Sequence, residues 1–260
     1  SKGAKIEAKN NNELTPLIIS SYEGHLEIVK YLVEKGANIE AKTSLKCTAL
    51  ILASHGGHLE VVKYLVEKGA NIETKDYKLC TPLFHALNKN LEIVKYLVEK
   101  EANIEAETST GGTPLITASY RGKFKIVKYL VEKGANIEAK DTNRSTALIW
   151  ASLGGNLEVI KYLISKGANI EAKDNYGNAA LICASYNGHL EIVEYLISKR
   201  ANIEAKANNG NTALICTSRL GNLEVVKYLI SEGADIEAKD LDGNTALICA
   251  SRLGNLEVVK

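Results

Sequence analysis

The chain has 260 residues, 45% of them apolar and 24% charged, with a formal net charge of +1. Lysine and glutamate are mixed along its whole length, which removes the general electrostatic reason to expect nucleic acid or an anionic membrane as partner. The longest apolar run, Ala179–Ala184, is six residues against the roughly 20 needed to span a bilayer, and the first residues, SKGAKIEAK, hold no signal-peptide core.

Residues 1–9 match the end of a unit that then recurs down the chain. The segment TPL or TAL starts at Thr15, Thr48, Thr81, Thr113, Thr146, Thr212 and Thr245, with Ala179 standing in once. Every interval is 33 residues except the 32 between Thr81 and Thr113. The units are therefore expected at 10–42, 43–75, 76–107, 108–140, 141–173, 174–206 and 207–239, with a partial unit at 240–260. A fixed period of this length marks a stacked repeat array rather than domains with closed cores.

Each unit reads as two short helices and a loop. Threonine supplies the first N-cap, with Pro16, Pro82 and Pro114 at the first helical position. The helix ends about nine residues later, at Gly24 in the first copy. The second helix is the phrase LEIVKYLVE. At 100° per residue, Leu26, Ile28, Val29, Leu32 and Val33 share one arc, while Glu27, Lys30 and Glu34 face solvent. Gly36 is placed to supply a left-handed cap. The remainder, ANIEAKDNYGN at Ala168–Asn178, carries the residues of a tight turn between extended arms. The third unit lacks one residue around Asn88–Asn90, which predicts an altered turn between its helices.

A 33-residue period with TPL, then GHLEIVKYL, then KGANIEAKD resembles the ankyrin repeat over essentially the whole chain. The resemblance implies an all-α fold: an ankyrin-repeat α-solenoid of stacked antiparallel helix pairs with β-hairpin-like finger loops. It also implies binding of a protein partner through the fingers and the concave face of the first helices. The histidine expected after TPL is replaced by isoleucine or phenylalanine in every copy. Glu101 and Arg200 stand where other copies have the capping glycine, and Glu13, Lys46, Leu79 and Arg144 where others have the turn glycine. The position at which the family typically carries a hydroxylated asparagine reads Glu40, Glu73 and Glu105 here, so that modification is not implied.

Comparing the eight first-helix copies within the chain separates scaffold from free surface. The columns of Leu17, Ile18, Ser20 and Ser21 hardly vary, whereas those of Ile19, Tyr22 and Glu23 change in nearly every copy. The variable columns fall on one stripe, at about 140–240° from Leu17 on a 3.6-residue helix. Candidate partner-binding residues on it are Tyr22, His55, His85, Lys89, Tyr120, Arg121, Trp150, Leu153, Tyr186, Asn187, Arg219 and Arg252. Aromatic and arginine side chains dominate interface hot spots, although a tryptophan can equally fill space between helices. Lys89, Arg121, Arg219 and Arg252 against Glu23 alone favour a partner with acidic segments. The irregular early fingers add Leu45, Lys46, Tyr77 and Lys78.

Other constellations read as structural. Cys183, Cys216 and Cys249 recur every 33 residues, and a ladder with rungs of about 8–10 Å converges neither on a metal nor on a disulfide. The five cysteines are expected to be thiols in a reducing compartment, cytoplasmic or nuclear, with the ladder as semi-buried filler. His25, His58 and His189 precede the second helix where Asn156, Asn222 and Asn255 also occur; a local hydrogen bond suits both residue types. With no nucleophile system and no phosphate loop, the sequence reads as non-catalytic, without cofactor or metal. Both termini fall inside a unit, so it reads as a stretch of a longer array. The competing functions are a protein-binding scaffold and a structural spacer that stacks end to end through uncapped terminal repeats.

Overall fold

In the computed structural model, residues 3, 5–88 and 90–260 are described, and they form helices without any β-strand among them. The first helices of the successive copies are α1 (Pro16–Glu23), α3 (Ala49–Gly56), α5 (Pro82–Ala86), α7 (Pro114–Tyr120), α9 (Ala147–Leu153), α11 (Ala180–Tyr186), α13 (Ala213–Leu220) and α15 (Ala246–Arg252). The second helices are α2 (Leu26–Glu34), α4 (Leu59–Glu67), α6 (Leu91–Glu99), α8 (Phe124–Glu132), α10 (Leu157–Ser165), α12 (Leu190–Ser198), α14 (Leu223–Ser231) and α16 (Leu256–Val259).

The helix starts follow from side-chain capping. Thr15, Thr48, Thr146, Thr212 and Thr245 each accept, through Oγ1, the N–H three residues on, at 3.3–3.4 Å. This satisfies one of the donors that a helix N-terminus leaves open. At the second-helix ends, Gly36 lies at φ 85° and Ala37 N–H reaches back to Leu32 O at 2.9 Å. The same closure occurs at Glu101 and Arg200, with φ of 67° and 65°. Glu13, Lys46, Leu79 and Arg144 are likewise left-handed, at φ 60–61°, so the backbone keeps its path where glycine is missing. The missing residue of the third copy is absorbed by α5, which is five residues long and ends on Leu87 in right-handed geometry.

The chain divides into two compact units, Ser1–Pro114 with Lys128–Ala135, and Leu115–Val127 with Asn136–Lys260. In the first, α1, α3 and α5 lie side by side, with α2, α4 and α6 as a second layer. Leu17, Leu50, Leu65, Leu83, Ile93 and Leu97 fill the space between the layers and are essentially without exposed surface. Ile28 is 50% exposed where its counterpart Val61 is 1% exposed, so the apolar arc read from the first copy is fully covered only in later ones. In the second unit α9, α11, α13 and α15 form one layer and α10, α12, α14 and α16 the other, with Leu148, Ile160, Leu163, Val193, Leu196 and Leu229 between them.

Neighbouring copies are tied by bonds that repeat with the sequence. Glu7, Glu40 and Glu73 accept the backbone N–H of Asn38, Asn71 and Asn103 in the first unit, at 2.8–2.9 Å. Glu138, Glu171 and Glu204 do the same for Asn169, Asn202 and Asp235 in the second. In the other direction, Asn156 donates to Ser119 O and Tyr120 O, and Asn222 to Ser185 O and Tyr186 O. His58 and His189 meet Tyr22 O and Leu153 O in the same way. One geometric job, closing the carbonyl end of the preceding first helix, accounts for both residue types.

Candidate functional site

The aspartates at the base of the fingers are what position the variable stripe. Asp76 is buried, and its Oδ1 accepts the N–H groups of Lys78 and Cys80, closing the turn of its finger. Its Oδ2 accepts from His85 Nε2 at 3.0 Å. Asp141 repeats the arrangement: Oδ1 takes Asn143 and Ser145 N–H, and Oδ2 takes Trp150 Nε1 at 2.8 Å. One carboxylate thus fixes both a finger and the stripe residue nine positions later. The polar end of Trp150 is engaged inside the protein, and the ring is half-buried. Its space-filling role, one of the two readings of the sequence, is therefore part of its structural job.

In the first unit the stripe is a row of rings. Tyr22 is about half exposed and stacks with His55 at a centroid distance of 6.4 Å, and His55 meets His85 edge-on at 5.7 Å. The finger tips carry exposed Leu45, Lys46, Tyr77 and Lys78. Tyr77 N–H donates to Leu45 O and Ser109 N–H to Lys78 O, joining tip to tip, and Lys78 Nζ sits 5.4 Å from the Tyr77 ring centre. Lys89, also a candidate, lies outside the described residues.

In the second unit Tyr120 packs edge-on against Trp150 at 5.2 Å and is itself half exposed. The end of α9 approaches the end of α7 so closely that a Cβ on Gly154 would lie 2.5 Å from Tyr120 O. Arg121, Tyr186 and Asn187 are exposed and Leu153 is half-buried. Asn187 Nδ2 turns back to Cys183 O. Arg219 directs Nη2 to Asn211 Oδ1 at 3.4 Å, to Cys249 Sγ at 3.6 Å and to Asp240 Oδ2 at 3.6 Å. Arg252 Nη2 donates to Asn244 Oδ1 at 2.9 Å.

These stacked helix pairs carry a family's signature along nearly their whole length: a family model described as ankyrin repeats (3 copies) matches residues 2–76, 77–141, 137–207 and 200–260. The chain belongs to the ankyrin-repeat family. Among curated proteins no match was found.

Within the ankyrin array the cysteine ladder is more deeply placed than its position on the variable columns suggested. Cys183, Cys216 and Cys249 are all buried, and burial pushes the Cys183 thiol up to about 12 and the Cys216 thiol up to about 11. Such thiols are poor nucleophiles and poor ligands at neutral pH. The stripe carries aromatic rings and guanidinium groups, several of them anchored from below by finger aspartates and asparagines. The anchoring roles of Asp76, Asp141, Asn211 and Asn244 are not evident in the sequence, where the two asparagines read only as the ends of intact finger motifs. The signal that could have found them is the constant offset, nine residues from aspartate to the His85 and Trp150 column, and eight from asparagine to arginine.

Proposed function

We propose that this ankyrin array holds a protein partner along the variable stripe of its first helices and the finger tips, and performs no chemistry itself. Ankyrin repeats are generally protein-interaction modules. The observation that carries the reading is that Tyr22, Tyr120 and Tyr186 are about half exposed on helices whose opposite faces are fully buried. Half-exposed aromatic surface held on a rigid element is the usual substance of an interface hot spot. The first unit offers Tyr22, His55 and His85 with the tips Leu45, Lys46, Tyr77 and Lys78, and Lys89 belongs to the same stretch of stripe. The second offers Tyr120, Arg121, Leu153, Tyr186, Asn187, Arg219 and Arg252, with Trp150 as the support beneath them. Three or four adjacent first helices supply the roughly 800 Å² per partner of a standard interface. The copies act as units of 33 residues, 32 in the third, at the boundaries read from the TPL ruler, and the buried thiols suit a reducing cytoplasmic or nuclear setting.

Affinity capture from cell lysate with the wild type and with Tyr120→Ala/Arg121→Ala/Tyr186→Ala tests this. Trp150 is left intact because its indole closes a finger. With helicity unchanged by circular dichroism, loss of specific partners supports the stripe; an unchanged set of captured proteins would overturn it.

A further inference from the structure

One column of the second unit has an internal order. Leu153 on α9, Tyr186 on α11, Arg219 on α13 and Arg252 on α15 occupy the same place in four successive first helices, which lie side by side. The column therefore runs apolar, aromatic, cationic, cationic. The two guanidinium groups are posed alike: each is pinned through Nη2 by the asparagine that ends its own finger, Arg219 by Asn211 and Arg252 by Asn244. Pinning Nη2 fixes the plane of each guanidinium and lowers the entropy lost when its remaining N–H groups meet an anion. Arg219 is partly balanced by buried Asp240 at 3.6 Å, and among the described residues no acid forms an ion pair with Arg252 or Arg121. The stripe of this unit thus presents cations and no exposed carboxylate.

We infer that this column is a docking track for an extended acidic peptide segment whose two carboxylates are three residues apart. Packed helices lie about 8–10 Å apart, and a chain in the polyproline II conformation advances about 3.1 Å per residue with three residues per turn, so one repeat corresponds to three peptide residues and every third side chain shares a face. A carboxylate meets the remaining N–H groups of Arg252, a second one three residues along meets those of Arg219, and apolar side chains after further steps of three meet Tyr186 and Leu153. Charge-assisted carboxylate–guanidinium hydrogen bonds give both affinity and register, and the apolar half fixes which end of the segment lies over α15. The inference rests on the protein-binding reading above and adds the chemistry and spacing of the ligand.

Fluorescence anisotropy with labelled synthetic peptides tests it. The probe has two aspartates separated by two glycine or serine spacers, followed by two leucines at the same spacing, made in both chain directions. Its controls are an isomer with the aspartates adjacent and an analogue with asparagines in their place. The spaced-acid peptide in one direction is expected to bind at least about tenfold tighter than either control, and Arg252→Gln to abolish that preference while leaving the circular dichroism spectrum unchanged. Equal binding of the isomer, equal binding by the Arg252→Gln protein, or no binding of any peptide would each overturn the proposal. If cellular partners are still lost on Tyr120→Ala/Arg121→Ala/Tyr186→Ala, the protein-binding reading stands without the acidic track.

Discussion

Glu101 and Arg200 hold a left-handed backbone, φ 67° and 65°, where Gly36, Gly69, Gly134, Gly167 and Gly233 close the second helix of other copies. A Cβ added at any of those five glycines meets no atom within 4 Å, so lack of room contributes nothing to the penalty at this position. What remains is the clash of an L residue with its own backbone, about 1–2 kcal/mol, less the roughly 0.5–1 kcal/mol that glycine loses through its freer unfolded chain. Each substitution to glycine should therefore stabilise by about 0.5–1 kcal/mol. The two sites lie in different units, so Glu101→Gly/Arg200→Gly should gain about 1–2 kcal/mol if the effects add. Urea unfolding followed by circular dichroism measures it: at a typical slope of about 2 kcal/mol/M, the midpoint rises by roughly 0.5–1 M. Gly167→Ala is the reverse experiment and should cost about as much as one of these changes gains. A midpoint that stays or falls at constant slope, or a costless Gly167→Ala, would refute the backbone argument.

Thr74 is buried with an unpartnered hydroxyl where the equivalent residues include Ala106 and Ala172; Thr74→Ala should raise stability by about 0.5–1 kcal/mol in the same urea assay, since an unsatisfied buried hydroxyl costs more than the lost methyl contributes. Cys183 and Cys216, with pKa values pushed up to about 12 and about 11, should resist alkylation in the native protein at mildly alkaline pH and react fully in denaturant; fast native labelling of Cys183, read by peptide mass spectrometry, would contradict their burial. Burial alone would raise the Asp240 carboxyl, but hydrogen bonds from Asn244 and from the Asn244 and Asp242 N–H groups, with Arg219 nearby, outweigh it and hold the group below the usual carboxylate range. Its contribution is thus complete above the ordinary carboxylate pKa of about 3.9 and lost as pH falls through the depressed native value. Asp240→Asn should lower the Tm at neutral pH, and the gap to wild type should shrink in acid; a gap of constant size would remove Asp240 from the acid limb.

How much of this was legible depended on whether a residue's partner lay within its own element. Thr15, Gly24 and Gly36 act within a turn of where they stand, and their roles follow from local capping rules. The six left-handed non-glycine residues could be located because other copies show glycine at the same register. The histidine and asparagine before the second helix read as hydrogen-bonding groups because only that property is common to both. Trp150, His85, Arg219 and Arg252 were different. Each is held by a finger residue eight or nine positions earlier, across a turn whose orientation against the helix is set by packing between copies. No helical or strand period encodes that offset, so the column looked freer than it is. The cysteine ladder, read as semi-buried filler, is buried at Cys183, Cys216 and Cys249.

The reciprocal bonds between copies make length an adjustable property of this protein. Within each unit a glutamate of one copy serves the next copy's loop and an asparagine or histidine serves the previous copy's helix, so such a copy brings one plug and one socket; the fourth copy has Lys123 at the second of these positions. Duplication or loss of a whole period would rejoin like with like and leave no orphaned group at the seam. An insertion or deletion out of phase has no such exit and must be swallowed by a single helix pair, as the shortened α5 shows. A chain built this way can be lengthened or trimmed by whole periods without redesigning the contacts between copies.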